Sequence, residues 1–277
     1  MNHMLFLGFG FSAQALAWRL DPGQWRITGT SRTPEGAKSI AALGHEGVVF
    51  AELESIPASV THIISSVPPD DDGDPVMRRF GDQLKSSKVT WVAYLSTTGV
   101  YGDHGGAWVD EDTPLAPNTE RGQRRLVAEK AWAPINSHIF RLASIYGRGR
   151  NQLLSVMGGT AKRVVKPGQV FSRIHVDDIA GILLASMAQP QPGRAYNVAD
   201  DEPCPPQDVV AFAAALLGKP VPPDIPFCEA QLSSMARSFY ADSKRVSNAR
   251  VKTELDYKFT YPNYRVGLTA LREGLIV

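Results

Sequence analysis

The sequence predicts an α/β protein: a doubly wound parallel sheet followed by a small mixed C-terminal subdomain. Three observations predict it. The N-terminal half alternates short apolar runs with helical patterns. The runs are continuously apolar, as strands covered on both faces are. The C-terminal part differs in texture, with prolines clustered at 190–192, 203–206 and 220–226.

Element by element, Met4–Leu7 reads as a strand ended by Gly8. Ser12–Leu20 follows with Ala13, Leu16, Ala17 and Leu20 at helical spacing, closed by Asp21-Pro22-Gly23. Further strands fall at 25–30, 48–50, 61–66, 91–96 and 138–142. Helical patterns fall at 34–43, 75–85 and 121–132. Beyond residue 150, helices are expected at 178–188 and 207–217 and a strand at 195–198. Residues 1–150 form the expected sheet domain, to which 171–190 returns, and 151–277 an intertwined smaller subdomain.

Composition narrows the function classes. Lys plus Arg number 29 and Asp plus Glu 28, a net charge of +1. That balance lacks the basic field of a nucleic-acid binder. No apolar run approaches the roughly 20 residues that cross a bilayer, so no membrane partner is expected. Met1–Gly10 lack a basic n-region and a cleavage site, which argues against a secretory signal. Cys204 and Cys228 are the only cysteines, too few for a disulfide scaffold, and a reducing cytoplasm is the expected location. No His/Cys/Asp cluster has metal-ligand spacing, so no metal is expected.

Gly8-Phe9-Gly10-Phe11-Ser12-Ala13 stands between a strand and a helix. This is the G-x-G-x-x-A form of the Rossmann-type dinucleotide fingerprint. The first glycine makes the turn and the second admits a pyrophosphate to the backbone. The small third residue lets helix and strand pack, and the helix N-terminus supplies N–H donors. The second strand runs out through Thr28-Gly29-Thr30-Ser31-Arg32. An NAD binder usually carries an acid here for the ribose 2′-hydroxyl, whereas an arginine accommodates a 2′-phosphate. Arg32, with the Ser31 hydroxyl beside it, therefore favours NADP(H) over NAD(H).

Several segments then resemble the extended, epimerase/dehydratase-like branch of the short-chain dehydrogenases/reductases, over nearly the whole chain. Leu95-Ser96-Thr97-Thr98-Gly99-Val100-Tyr101-Gly102 resembles the strand-five motif, in which the position of Thr97 bonds the substrate oxygen. Phe140–Gly147 resembles the motif after strand six, whose loop, here with Ile145, lies beside the nicotinamide. Phe171–Asp178 resembles the segment leading into the substrate subdomain, and Tyr196-Asn197-Val198 the strand after it. The resemblance implies cofactor contacts from Gly8, Gly10, Phe11, Ser12, Ala13, Ser31, Arg32, Ser65, Ser66, Arg125 and Ile145. It also implies a small-molecule substrate and a homodimer.

One departure is chemical. The family places a Tyr and a Lys at i and i+4 on the helix after strand five. Counting back from Glu129, those positions hold Arg121 and Arg125, and no Tyr occurs between Tyr101 and Tyr146. An arginine stays protonated and has no acceptor lone pair, so it cannot shuttle a proton near neutrality. Arg125 is expected to hold the ribose or a phosphate. Arg121 is expected to pair a substrate anion or a developing oxyanion. Thr97 would orient the substrate oxygen, and Tyr101 or water would handle the proton. His104 is a weaker candidate for a shuttle. Asp177 and Asp178 read as helix caps. Arg173, with Arg121, makes an expected anion site. The leading reading is an atypical NADP(H)-dependent oxidoreductase acting on an anionic small molecule. The alternatives are a non-catalytic NADP(H)-binding regulator and a nucleotide-sugar epimerase or dehydratase.

Overall fold

The computed structural model describes Met1–Gly274. In chain order the first half contains β1 (Asn2–Leu7), α1 (Phe11–Ala17), β2 (Trp25–Ser31), α2 (Pro34–Ala42), β3 (Glu46–Val49) and β4 (His62–Ser65). There follow α3 (Pro75–Ser86), β5 (Trp91–Thr97), β6 (Trp108–Val109), α4 (Glu120–Trp132), β7 (His138–Leu142) and β8 (Ser144–Tyr146). The second half contains α5 (Gln152–Met157), β9 (Arg163–Val165), β10 (Arg173–His175), α6 (Val176–Ala188), β11 (Ala195–Val198) and α7 (Pro206–Leu216). It closes with β12 (Asp224–Pro226), α8 (Ser234–Phe239), β13 (Arg245–Val246), α9 (Ala249–Glu254) and α10 (Tyr264–Glu273).

Seven strands form one parallel sheet in the order β11-β7-β5-β4-β1-β2-β3. The strand order reverses beside β1, which pairs with β2 through Met4↔Ile27 and with β4 through Leu7↔Ser65. In such sheets ligands bind at the carboxyl ends of the strands flanking the reversal. β1 is buried from His3 to Leu7, as its unbroken apolar run requires. The helix starts follow from local chemistry. Thr33 accepts from Gly36 N and Pro34 opens α2. Asp74 accepts from Val76 N and Met77 N ahead of Pro75 in α3.

The chain divides into two compact units. The first is Met1–Thr97, Glu120–Arg141 and Ile179–Tyr196; the second is Thr98–Thr119, Leu142–Asp178 and Asn197–Val277. The first unit's core gathers Leu5, Leu7, Ile63, Val76, Phe80 and Leu84, with Tyr94 stacked on Trp132 at 5.3 Å between ring centres. The second unit has its own core, where Leu153 of α5, Val209 and Ala213 of α7, and Tyr264 and Leu268 of α10 meet.

Three differences from the sequence expectations have plain causes. The third strand is Glu46–Val49 and Phe50 begins a 3-10 turn, because the apolar run Val48–Phe50 marks burial without marking where pairing stops. The parallel pairs β6/β13, β8/β10 and β9/β12 have two or three residues each, too few to show a period of two. Asp178 does not cap a helix. Its buried carboxylate accepts from the Tyr257 hydroxyl (2.8 Å), Thr260 N (2.8 Å) and Tyr261 N (3.0 Å), partners about 80 residues away in sequence.

Candidate functional site

In the first unit the loop after β1 has the form a dinucleotide needs. Gly8 sits at φ +90, and a Cβ there would meet Ser66 Oγ at 2.8 Å. Gly8 N donates to Thr30 Oγ1 (2.9 Å) and Phe9 N to Thr30 O (3.0 Å), while Ser66 Oγ donates to Gly8 O (2.9 Å). Gly10 leads into α1 with no side chain capping the helix, and a Cβ built on it would meet nothing within 4 Å. Open space therefore lies over uncapped N–H groups, the arrangement that receives a phosphate. Ser12 and Ala13 are buried, so the helix packs closely on the sheet. At the end of β4 the fully buried Ser65 Oγ has no hydrogen-bond partner. These residues fit a dinucleotide.

At the end of β2, Ser31 is half-buried and Arg32 exposed. Among the described residues no carboxylate pairs with Arg32. No acid stands between Thr28 and Arg32, and Glu35 lies in the first turn of α2. The nearby turn is tied to this strand: the Phe9 ring lies where a Cβ on Gly29 would come within 2.6 Å of it.

β5 brings Ser96 and Thr97 to its carboxyl end. Ser96 Oγ donates to Glu129 Oε1 at 2.5 Å, and Arg141 of β7 holds the same carboxylate with Nε and Nη2. Arg141 and Glu129 are both under 10% exposed and are paired at 3.0 Å. This buried pair fixes α4 to β5 and β7 behind the half-buried Thr97.

Arg125 Nη1 donates to the Tyr94 hydroxyl and to Leu95 O, both at 2.9 Å, and its guanidinium lies 5.6 Å from the Tyr94 ring centre. It braces β5 through that nitrogen. Arg124 of the same helix pairs with Asp71 and Glu120. Arg121 is exposed in the first turn of α4.

The second unit holds the other candidates. Tyr101 is fully buried and its hydroxyl donates to Asn197 Oδ1 at 2.7 Å. A proton committed inside the core is a poor source for a reaction. The His104 ring nitrogen Nε2 lies 3.2 Å from Tyr101 O. His175 is buried against Tyr146 and Tyr261, with Nδ1 accepting from Asp177 N at 3.2 Å.

A cleft of about 240 Å³ lies in this unit. Its lining mixes apolar Val209, Tyr264 and Leu268 with polar Asn151, Ser155 and Arg173. Arg173 Nη1 donates to Phe171 O (3.0 Å) and approaches Cys204 Sγ (3.0 Å). Among the described residues no acceptor faces its Nε and Nη2. Arg173 is thus held by one nitrogen, with its other donors available to a ligand.

Beside it Asp200 is 1% exposed; its Oδ1 accepts from Glu202 N (3.2 Å) and its Oδ2 has no partner. Burial pushes its carboxyl up to about 8, against the pull of the Glu202 N–H and of Arg173. The Cys204 thiol is raised to about 11 by the same burial.

Sequence reasoning singled out Arg173 but missed Asp200, Asn151 and Tyr264. Asp200 had a signal, an acid two residues after the Tyr196–Val198 strand. Asn151 and Tyr264 had none, since what brings them to the cleft is the packing of α5, α7 and α10.

Among the described residues no helix is long and apolar enough to cross a membrane, and no group of three His, Cys, Asp or Glu could hold a metal ion.

No family model matches the chain. It is similar to the 3-diazoavenalumate denitrifying reductase of a Streptomyces species, 26% identical over 274 residues, covering 87% of this chain and 89% of the relative. A solved structure of a conserved protein of unknown function from Silicibacter pomeroyi is 50% identical, with a TM-score of 0.94 over 100% of both chains. A putative NAD-dependent epimerase/dehydratase from Methylobacillus flagellatus is 25% identical, with a TM-score of 0.75 over 100% of this chain and 99% of that one.

Proposed function

We propose that the chain, which shares its fold with NAD-dependent epimerase/dehydratase-like short-chain dehydrogenases/reductases, is an NADP(H)-dependent reductase of a compact organic anion. Similarity to a reductase and to a putative NAD-dependent epimerase/dehydratase supports a nicotinamide-cofactor protein of oxidoreductase type. The preference for NADP(H) and the anionic substrate are our reading.

Gly8, Gly10, Phe11, Ser12 and Ala13 hold the pyrophosphate in this reading, with Ser65 and Ser66 on the neighbouring strand end. Ser31 and Arg32 take the 2′-phosphate. When bound, the cofactor supplies a hydride. In the second unit Arg173 grips an anion with the nitrogens the protein leaves unused; in the first, Thr97 at the end of β5 is the hydroxyl that orients a reacting oxygen. Arg125 braces β5 so that Thr97 keeps its place, and Arg121 adds positive charge on α4. With the Tyr101 hydroxyl given to Asn197, water supplies the proton.

The observation that carries the proposal is Arg173, held by Nη1 alone in a cleft that Val209, Tyr264 and Leu268 also line. The volume of about 240 Å³ suits a small acid and is below the range of pockets that enclose larger ligands. A nucleotide sugar is disfavoured accordingly. Similarity to a reductase that is named for an organic anion supports the same direction.

The test is NADPH consumption across a panel of small carboxylates and their neutral amides, with Arg173→Gln alongside. We expect turnover with acids, little with amides, and a raised KM in the variant. Tight NADPH binding with no turnover across the panel would instead favour the non-catalytic regulator.

A further inference from the structure

At the opposite edge of the sheet from the glycine turn, five side chains of the first unit form one hydrogen-bonded line. Ser59 Oγ lies 2.9 Å from His3 Nδ1, and His3 Nε2 lies 2.8 Å from Thr28 Oγ1. Thr28 Oγ1 donates to Glu46 Oε2 at 2.8 Å, and Arg26 Nη2 donates to the same oxygen at 2.7 Å.

The chemistry of the groups fixes the direction of every bond. The Glu46 carboxylate only accepts; the Thr28 hydroxyl and Arg26 hold it below its ordinary range. Thr28 has one hydroxyl hydrogen and gives it to Glu46, so its oxygen accepts from His3 Nε2–H. His3 is 2% exposed, and burial together with the Arg26 charge holds its ring below its ordinary value, hence neutral. The neutral ring carries one N–H, already placed on Nε2, so Nδ1 is a bare lone pair. The Ser59 hydroxyl therefore donates to Nδ1. A serine, an imidazole base and a carboxylate are aligned in the polarity that activates a nucleophile. Ser59 sits in the Pro57–Val60 turn, exposed to solvent at the end of the line.

We propose that Ser59 is a second reactive site of this protein, a nucleophile that takes an acyl group from small activated esters. The Ser59 Oγ–carbonyl carbon bond forms and the bond from that carbon to the alkoxy or aryloxy oxygen breaks. The leaving group departs as the oxyanion. The hydroxyl proton passes to His3 Nδ1 and from there to water, while Glu46, through Thr28, offsets the charge on the ring.

The probe is p-nitrophenyl acetate on the full chain, followed by intact mass and peptide mapping. Ser55, exposed on the same loop, is the internal standard. We expect one acetyl group on Ser59, formed about a hundredfold faster than on Ser55. Ser59→Ala removes this label, and Glu46→Gln slows it by about tenfold, a part of the factor the base contributes. Circular dichroism of both variants should match the parent, since both changes lie at exposed positions. Acetylation of Ser59 no faster than of Ser55, or an unchanged rate in Glu46→Gln, overturns the proposal.

Discussion

The Tyr101 hydroxyl donates to Asn197 Oδ1 at 2.7 Å, with both side chains closed off from solvent. This bond separates two roles a tyrosine can play beside a strand-five motif. Tyr101→Phe leaves the Asn197 side chain buried without its donor, a loss of about 1–3 kcal/mol of stability. If water is the proton source, turnover should stay within about twofold of the parent, far from the factor of a hundred or more that a general acid contributes. Denaturant unfolding and steady-state rates on the same preparation check both.

Arg32→Ala should weaken NADPH binding about tenfold to a hundredfold, the worth of a charged hydrogen bond to phosphate. NADH binding should change little, because NADH has no 2′-phosphate to lose. Titration of each nucleotide by fluorescence measures the ratio. Equal losses for the two would remove the assignment of Arg32.

Asp200 makes stability and anion binding depend on pH. Its carboxyl is raised to about 8 in the fold, far above the ordinary range of an unfolded chain. Between those values the folded state binds the extra proton, so stability falls as pH rises through that window and the loss is complete above about 8. Asp200→Asn should flatten this dependence. It should also abolish a drop in anion affinity as pH rises through 8, since an ionised Asp200 competes for Arg173. The Cys204 thiol, raised to about 11, and the Tyr146 phenol, raised further still, stay neutral across that window. Calorimetry from pH 6.5 to 9, in about half-unit steps, separates the two carboxyl states.

Glu129→Gln leaves the buried Arg141 guanidinium without the counter-charge of Glu129. Breaking one partner of such a pair costs about 3–5 kcal/mol, more than the pair itself contributes. The midpoint of urea unfolding should fall accordingly. Glu129→Gln with Arg141→Met should recover part of the loss.

Much of the first unit was legible in sequence because its signals are local. Met4–Leu7, Gly8 and Gly10 declare a strand and a turn within ten residues, and Pro34 and Pro75 announce helix starts. The Tyr101 role was not legible, because Asn197 is 96 residues away and the bond exists only after folding. Asp178 failed for the same reason: at the start of a helix it reads as a cap, yet its acceptor lobes go to residues 257–261. The cleft of the second unit depends on α10, whose buried face of Tyr264, Gly267 and Leu268 is helical in its spacing, but the sequence does not say that α5 and α7 are what that face packs on.

Phe9 resting on Gly29 joins the glycine turn to the strand that ends in Arg32. The bonds from Gly8 N and Phe9 N to Thr30 lock the same joint. The two ends of the nucleotide platform are therefore marks on one ruler, and neither can slide to suit a guest. Selectivity for the nucleotide then resides in a fixed span: a dinucleotide either reaches from mark to mark or leaves one of them empty. Lengthening the loop between Gly8 and Phe11, or enlarging residue 29, would change the gauge itself.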